Sequence, residues 1–209
     1  MTTEFQSINL TGWILLGVLV ALAAIFLAFW VSKQRWTARM LSNAAICLAL
    51  SFVLSYIKIF DLPQGGAVTA ASLLPLIAFA YGYGAVPGLA VGIAYGFLQM
   101  IQDPYIVGAV QAVLDYPLAF GAIALAGLAR KLPDRYGWLV GIALVGVGRF
   151  VCHTLSGVVF FADYAQGSGL SPLVYSLSYN SFVFVDLVIC AVVMAVSQVR
   201  ATFKRMAVR

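Results

Sequence analysis

Four ionisable side chains lie inside otherwise apolar stretches of the chain, and they are its first candidates for chemistry. They are Asp115, Arg149, His153 and Asp186. A charged group is costly in hydrocarbon, so each is expected to face a protein interior or a water-filled cavity. Two readings of Arg149 and Asp186 stay open, a buried ion pair that holds two helices in register and a part in proton relay.

Motifs of several enzyme classes are absent from the sequence. None of the four lysines follows a glycine, as a phosphate loop requires, and neither H-E-x-x-H nor G-x-S-x-G occurs. The three cysteines lack metal-ligand spacing, and a single histidine cannot build a multi-histidine metal centre. We therefore expect no enzyme activity, no metal and no cofactor. Energy for any uphill transport would come from a partner or an ion gradient.

Long apolar segments must position these side chains. Hydrophobic residues make up 63% of the chain and charged residues 9%, and the mean hydropathy is +1.01. Soluble domains carry roughly 45–50% apolar and about 25% charged residues. The runs are long and do not alternate with period two, which predicts an all-α integral membrane protein. The predicted spans are 13–31, 40–60, 70–82, 86–102, 107–129, 137–161 and 172–198.

The span count and the domains follow from this pattern. The third span is short and ends in the turn sequence YGYG, so it is expected to be re-entrant or partly spanning, with seven spans favoured over six. The first span lacks the features of a cleaved signal peptide and is expected to be retained. We predict an extra N-terminal transmembrane helix with a basic loop (1–37), a six-helix membrane domain (38–200) and a basic tail (201–209).

The distribution of lysine and arginine predicts the orientation. The three basic clusters are Lys33, Arg35 and Arg39, then Arg130, Lys131 and Arg135, and finally Arg200, Lys204, Arg205 and Arg209. With seven spans all three fall on one side, which the positive-inside rule makes cytoplasmic. This places the N-terminus outside the cell membrane and the C-terminus in the cytoplasm. The bias also accounts for the net charge of +5 without nucleic acid.

Three polar side chains from three spans share one level in the outer half of the membrane. Counted from the span ends at 1.5 Å per residue, Asp115, His153 and Asn180 each lie about two helical turns below the outer surface. Such a level predicts a pocket that opens to the outside. A histidine that only packs in the core is the alternative reading of His153.

Aromatic residues and a glycine are expected to complete this pocket. On the sixth span His153, Gly157 and Phe161 recur every four residues, so Gly157 could leave room for a ligand ring that Phe161 covers. Further rings near the same end are Tyr95, Tyr105, Tyr116 and Tyr175. Aromatic faces beside a carboxylate suit a cationic heteroaromatic molecule. An interfacial aromatic belt is the alternative for the tyrosines.

Residues from about 38 to 200 resemble the thiamine-specific S-component of energy-coupling-factor transporters. The resemblance runs through PQGGAVT (63–69), GIAYGFLQ (92–99) and QAVLDYPLAF (111–120) and ends with the His153-x-x-x-Gly157 pair and the residues after it. It implies that thiamine is held by Asp115, Tyr116, His153, Gly157, Tyr175 and Asn180, with Tyr95, Tyr105 and Phe161 as further wall. The family usually has glutamate where Asp115 stands and tryptophan where Phe161 stands.

The same resemblance implies partners. Such a protein binds the vitamin, while a membrane coupling subunit and two ATPases drive transport. The docking surface would be a small-residue stripe on the first core helix, here Ala45 and Ala49. Two alternatives stay open. One is an S-component for a thiamine precursor such as hydroxymethylpyrimidine, and the other is a stand-alone proton-coupled carrier.

Overall fold

The structure is a computed structural model that describes residues 32–206. By its internal contacts the chain divides into two units, Met1–Arg35 and Trp36–Arg209. The predicted first span, 13–31, lies outside the described residues, as do residues 207–209 of the predicted tail. The fold described below is that of the second unit.

Eight helical segments make up this unit in the described part of the chain. In chain order they are α1 (Ala38–Ser55), α2 (Leu74–Tyr83), α3 (Ala85–Gln102), α4 (Ala109–Lys131), α5 (Gly137–Phe160), α6 (Ala162–Gln166), α7 (Pro172–Ala195) and α8 (Ser197–Met206). Local sequence marks several ends. The side chains of Thr37 and Ser171 accept hydrogen bonds from the first turns of α1 and α7, and Pro172 occupies a first-turn position where no backbone donor is needed.

The outer surfaces of the long helices are apolar. Five of the described helices (α1, α3, α4, α5 and α7) are long and apolar enough to cross a membrane. Large side chains such as Ile46, Val53, Val159 and Val188 are about 60% exposed. In water such surfaces would associate, whereas in a bilayer they contact lipid. The chain is a multi-pass helical membrane protein, as its composition predicted.

One predicted span ends early and is followed by a hairpin. The span predicted over 40–60 stops at Ser55, and Lys58–Asp61 (β1) pairs antiparallel with Ala67–Thr69 (β2). A short 3-10 turn, Pro63–Gly65, joins the strands, and Gln64 and Gly65 have positive φ values of 66° and 82°. The β-branched and aromatic side chains at 57–60 extended the apolar run, but they belong to this hairpin.

The span predicted over 70–82 is short in the structure as well. Helix α2 has only 10 residues, about 15 Å at 1.5 Å per residue, or half of a hydrocarbon core of about 30 Å. Strand β2 and the turn after it precede this helix in the chain. Both parts are largely buried, so their backbone is shielded from lipid. The prediction of a short helix over 70–82 agrees with α2, which comes in addition to the five described helices that are long enough to cross a membrane.

Basic residues from distant parts of the sequence meet at one end of the bundle. Arg130 at the end of α4 and both Arg200 and Lys204 on α8 line the same cavity. Two of the three basic clusters thus lie at the same end, as the span count required. The hairpin lies at the other end, together with the cavity described next.

Candidate functional site

A water-accessible cavity of about 130 Å³ lies between the hairpin and the upper halves of α3, α4, α5 and α7. All nine residues that were predicted from the sequence to form a pocket line it, namely Tyr95, Tyr105, Asp115, Tyr116, His153, Gly157, Phe161, Tyr175 and Asn180. Four helices and an irregular loop contribute, so the cavity exists only in the folded bundle.

A proline sets the backbone of α4 at this level. Pro117 has no N–H and would clash with the carbonyl four residues earlier in a regular helix. The turn over Leu114–Leu118 is accordingly widened to a π-helix, which carries Asp115 and Tyr116. Such widened turns relieve a proline and often occur at functional sites.

A column of glycines on α3 lets α4 approach closely. Gly88, Gly92 and Gly96 follow at intervals of four residues and so lie on one face. A Cβ at Gly96 would come within 2.7 Å of the Tyr116 carbonyl oxygen, and one at Gly92 would overlap the Phe120 carbonyl. The widened turn therefore rests directly on the α3 backbone, which fixes the position of Asp115.

Asp115 accepts hydrogen bonds from three side chains. His153 Nδ1 lies 2.9 Å from Asp115 Oδ1, while Ser156 Oγ and Gln111 Nε2 each donate to Oδ2 at 2.7 Å. The Asp115 and His153 side chains are only 16% and 13% exposed. The charge is thus held in place by the protein and lies at the wall of the cavity.

One nitrogen of His153 is left without a protein partner. An ionised Asp115 can only accept, so Nδ1 carries the proton and Nε2 of the neutral ring is an acceptor. Nε2 is buried and has no hydrogen-bond partner among the described residues. A buried unpaired polar atom in a cavity wall is a natural contact for a donor on a ligand.

The role predicted for Gly157 needs correction. The space beside this glycine was expected to take a ligand ring, but it is filled by Ser176 of α7, whose Oγ would overlap a Cβ at Gly157. Ser176 Oγ donates to the Thr154 carbonyl at 2.9 Å. Gly157 lines the cavity, and its small size serves the close packing of α5 on α7.

Asn180 ties its own helix to α5. Its Nδ2 contacts the His153 carbonyl oxygen at 3.2 Å and the Ser176 carbonyl oxygen at 2.9 Å. Asp115, His153 and Asn180, which were predicted to share one level, are therefore joined by hydrogen bonds. Asn180 is 5% exposed, so it acts on the shape of the cavity as well as on its polarity.

Three predicted aromatic residues form one wall. The Tyr116 hydroxyl accepts from the Tyr105 backbone N–H at 2.7 Å and donates to the Asp103 carbonyl at 3.1 Å, which holds the loop before α4. The Tyr105 and Phe161 rings lie 5.9 Å apart, and Phe161 is buried. Tyr105 also pairs with the Tyr164 hydroxyl at 2.9 Å. Because the hydroxyls of Tyr105 and Tyr116 are bonded within the protein, this wall contacts a ligand mainly through ring faces.

The tip of the hairpin closes the cavity from the outer end. Gln64 Nε2 donates to the Tyr175 hydroxyl at 3.1 Å, and the Gly66 N–H donates to the Tyr179 hydroxyl at 3.2 Å. Tyr179 in turn donates to the Pro63 carbonyl. The Tyr175 and Tyr179 rings are stacked with centroids 6.3 Å apart. Two neighbouring tyrosines of α7 thus hold the tip in place.

Tyr95 belongs to the inner wall. Its ring is 1% exposed and packs edge-on against Phe120 at 5.0 Å. Its hydroxyl donates to the Ser51 carbonyl of α1 at 3.2 Å. Tyr95 thereby joins α3 to α1. Because its hydroxyl is bonded elsewhere, it contributes mainly carbon atoms to the cavity lining.

The predicted pair of Arg149 and Asp186 forms the floor. Arg149 Nη1 lies 3.8 Å from Asp186 Oδ2, which confirms the pairing, and both residues are buried. Asp186 Oδ1 also accepts from the backbone N–H of Thr69 at 3.0 Å and from its hydroxyl at 2.9 Å. The pair therefore anchors strand β2 as well as α5 and α7.

The mouth of the cavity carries more negative than positive charge. Lys58 Nζ contacts Asp103 at 2.6 Å and Asp61 at 2.9 Å. The hydrogen bond to Asp103, followed by that to Asp61, raises the pKa of Lys58 above its usual value because both carboxylates favour the ammonium form. One cation between two carboxylates leaves a net negative mouth that attracts cationic molecules.

Several residues that line the cavity or bond its wall were not assigned from the sequence. Gln111 precedes Asp115 by four residues, Ser156 follows His153 by three, and Tyr179 follows Tyr175 by four, so each shares a helical face with a predicted residue. That spacing was a usable signal. Gln64 and Thr69 gave no such signal, because the hairpin reaches the site through tertiary packing.

Chemically, the site offers the Asp115 carboxylate, the His153 Nε2 acceptor and several ring faces. A flat cation with a hydrogen-bond donor edge matches this set, since the rings attract a cation and Asp115 compensates its charge. Among the described residues no cluster of three or more histidine, cysteine, aspartate or glutamate side chains could hold a metal ion.

Three comparisons with known proteins bear on this site. A family model described as thiamine transporter protein matches residues 41–205. The thiamine transporter ThiT of Bacillus subtilis is 31% identical over 169 residues, which covers 74% of this chain and 87% of the relative. ThiT of Lacticaseibacillus paracasei is 29% identical over 157 residues, covering 66% of this chain and 75% of the relative.

A solved structure has the same fold. The structure titled as ThiT from Listeria monocytogenes superposes with a TM-score of 0.69 and covers 79% of this chain and 96% of that one. The two sequences are 23% identical, so the likeness is one of architecture.

Proposed function

The chain belongs to the thiamine transporter protein family, and on that premise we propose that it is the substrate-binding membrane subunit of a vitamin importer that takes thiamine from the outer side. The observation that carries this proposal is the Asp115–His153 pair in an aromatic cavity beneath a negatively charged mouth. Thiamine combines a permanently charged thiazolium with an aminopyrimidine. The thiazolium cation suits a carboxylate and ring faces. The amino group of the pyrimidine can donate to Nε2 of His153.

Each side chain would have a distinct role. Asp115 offsets the positive charge or accepts from the amino group, and His153 Nε2 lies beside it as a second acceptor. Tyr105, Phe161 and Tyr175 supply ring faces that exclude water. Tyr116, Asn180 and Tyr95 act mainly by holding the wall in shape, since their polar groups are bonded to other parts of the protein. Gly157 does so by its close packing against Ser176.

Access from outside would require the hairpin tip to move. The tip is held by three neutral hydrogen bonds, one to the Tyr175 hydroxyl and two to that of Tyr179, each worth roughly 1 kcal/mol. In the closed arrangement the bound molecule is screened from water, which strengthens its contact with Asp115. Binding and closure are therefore coupled.

We propose that the energy comes from a membrane coupling subunit and two ATPases. The described residues contain no phosphate loop of their own. Ala45 and Ala49 are exposed on α1 and, with Ser42, form a small-residue stripe to which another helix can pack closely. This stripe is the proposed docking surface.

We propose that the basic end of the bundle faces the cytoplasm, with residues 1–37 forming a separate spanning helix and loop. The N-terminus would then be outside and the C-terminus inside. A protease-cleavable tag at Met1 should be cut when protease is added to intact cells, whereas the same tag after Arg209 should be protected from the protease. Cleavage at neither terminus would contradict an odd number of spans.

The decisive experiment for the ligand is a titration of the purified full chain. Intrinsic tryptophan fluorescence would be followed with thiamine and with hydroxymethylpyrimidine, after native mass spectrometry of any molecule that co-purifies. Tighter binding of thiamine supports the proposal. Tighter binding of the precursor would move the assignment to that alternative.

The stand-alone carrier remains the second candidate because two buried acid–base pairs, Asp115–His153 and Arg149–Asp186, line one cavity. Uptake by the chain alone in proteoliposomes under a proton gradient, with no ATPase present, would favour the carrier. Uptake only when the coupling subunit and ATPases are added favours the S-component.

A further inference from the structure

A second cavity lies at the basic end of the bundle, away from the site described above. It encloses about 290 Å³ among the end of α2, the end of α4, the start of α5 and helix α8. Nothing in the proposed function uses it. Its lining combines basic groups, aromatic side chains and few carboxylates.

The charges in this cavity do not balance. Three cationic side chains, Arg130, Arg200 and Lys204, line it against one carboxylate, Asp134. Lys204 Nζ lies 2.7 Å from that carboxylate and compensates it. Among the described residues, neither arginine lies within ion-pair distance of an acidic group, so two positive charges face the cavity without compensation.

The two guanidinium groups are held in place by uncharged partners. Arg130 Nη1 donates to the Tyr83 carbonyl oxygen at 3.3 Å. Arg200 lies over the Trp138 ring, 5.6 Å from its centroid. A guanidinium has five N–H donors in a planar fork, so each keeps donors for an anion.

Two neutral donors in the same lining lack acceptors. The Trp138 indole Nε1 and the Tyr81 hydroxyl are buried and have no hydrogen-bond partner among the described residues. Trp138 is only 8% exposed. An indole N–H can only donate, so a buried one in a cavity wall indicates an acceptor that the described residues do not supply.

We propose that this cavity is a binding site for a phosphate ester. A phosphate group has several acceptor oxygens and a negative charge, so it can bond two guanidinium groups and two neutral donors at once.

The setting points to two sources for such a phosphate. Helix α8 turns Val199 and Phe203 toward the core and carries its basic residues on another face, as helices at a membrane surface do. The headgroup phosphates of anionic phospholipids are one source, because they attract basic residues beside a membrane. A soluble phosphate ester from the adjacent aqueous phase has the same chemistry.

The test uses the purified full chain and compares matched variants. Native mass spectrometry would count bound phosphatidylglycerol and, as a neutral-headgroup control, phosphatidylcholine with the same acyl chains. Inorganic phosphate and glycerol phosphate would be titrated separately by isothermal titration calorimetry, a readout that does not depend on Trp138. The variants are Arg200→Gln and Trp138→Phe, with Arg135→Gln as control, because Arg135 is exposed at the same end and does not line the cavity.

We expect Arg200→Gln and Trp138→Phe each to weaken phosphate-ester binding by about fivefold or more. Arg135→Gln should leave it nearly unchanged. Selective binding of phosphatidylglycerol without a response to the soluble phosphates identifies a lipid site, and the reverse identifies a soluble ligand. Equal losses in Arg200→Gln and Arg135→Gln, or no preference for any phosphate anion, would overturn the proposal. Trp138→Phe keeps the ring and so still gives an answer if Arg200→Gln fails to fold.

Discussion

His153 Nδ1 lies 2.9 Å from Asp115 Oδ1, a contact between α5 and α4 that joins residues 38 positions apart in the chain. It fixes the histidine tautomer, leaves Nε2 for a ligand, and places a carboxylate at the wall of an aromatic cavity. The binding predictions below depend on this pair and on the backbone that holds it.

Asp115→Asn should weaken thiamine binding by about ten- to a hundredfold, because a charge-assisted contact is worth roughly 1.5–3 kcal/mol. The substitution also replaces one acceptor oxygen by an N–H₂ donor, which would face the groups that donate to the carboxylate in the parent protein. Asp115→Glu keeps the charge and should bind better than Asp115→Asn. Titration of the purified variants measures both. Asp163→Asn, at an exposed position outside the cavity, is the matched control, and equal affinities for Asp115→Asn and this control would disprove the assignment.

Gly96→Ala should weaken binding at least tenfold and lower the melting temperature. The added Cβ would lie 2.7 Å from both Pro117 Cα and the Tyr116 carbonyl oxygen, so the turn that carries Asp115 has to move. Gly108→Ala is the control, because a Cβ there meets nothing within 4 Å and its φ of −177° suits any residue. Thermal unfolding and thiamine titration of both variants test this. A tolerated Gly96→Ala would show that α3 does not position the site.

Tyr179→Phe should speed thiamine release by about tenfold while changing the association rate less. The phenol hydroxyl makes two hydrogen bonds to the hairpin tip, at Gly66 and Pro63, each worth roughly 1 kcal/mol. Stopped-flow displacement of bound thiamine measures the release rate. Tyr136→Phe, at an exposed position at the basic end, serves as control. An unchanged release rate would mean that the tip does not retain the ligand.

The Arg149–Asp186 pair should show strong coupling in a double-mutant cycle. Removing one partner leaves an uncompensated buried charge, which costs about 3–5 kcal/mol. The double change to alanine should therefore cost less than the sum of the two single changes, by about 1–3 kcal/mol. Asp186→Ala should be the more damaging single change, since Thr69 loses its acceptor too. Additive losses in thermal or denaturant unfolding would show that the pair is not coupled.

Replacing Ala45 and Ala49 by tryptophan should prevent assembly with the coupling subunit and leave thiamine binding intact. Both side chains are exposed on α1, so larger ones block close helix approach without disturbing the core. Co-purification with the coupling subunit, alongside a thiamine titration, separates the two effects. Ile46→Trp, on the same helix and 60% exposed, is the control for added bulk.

The sequence by itself determined the membrane class, the position of most helices and the residues of the cavity wall. Composition and long apolar runs are local properties, and the cost of charges in hydrocarbon forces the few polar groups inward. For that reason the residue order alone was enough to place Asp115, His153 and Asn180 at one level. The Arg149–Asp186 pair followed from the same argument.

Only the tertiary structure decided how the site is closed and what each residue contacts. The β1–β2 hairpin looked like the end of an apolar span, because pairing between Lys58 and Thr69 is not visible in either segment alone. The space beside Gly157 could suit a ligand or a neighbouring helix, and it is the packing of Ser176 that fills it. Which donors reach Asp115, and which nitrogen of His153 stays free, depend on helix rotation and separation. Those are set by glycine contacts and a proline turn acting between helices, so periodicity within one helix could not reveal them.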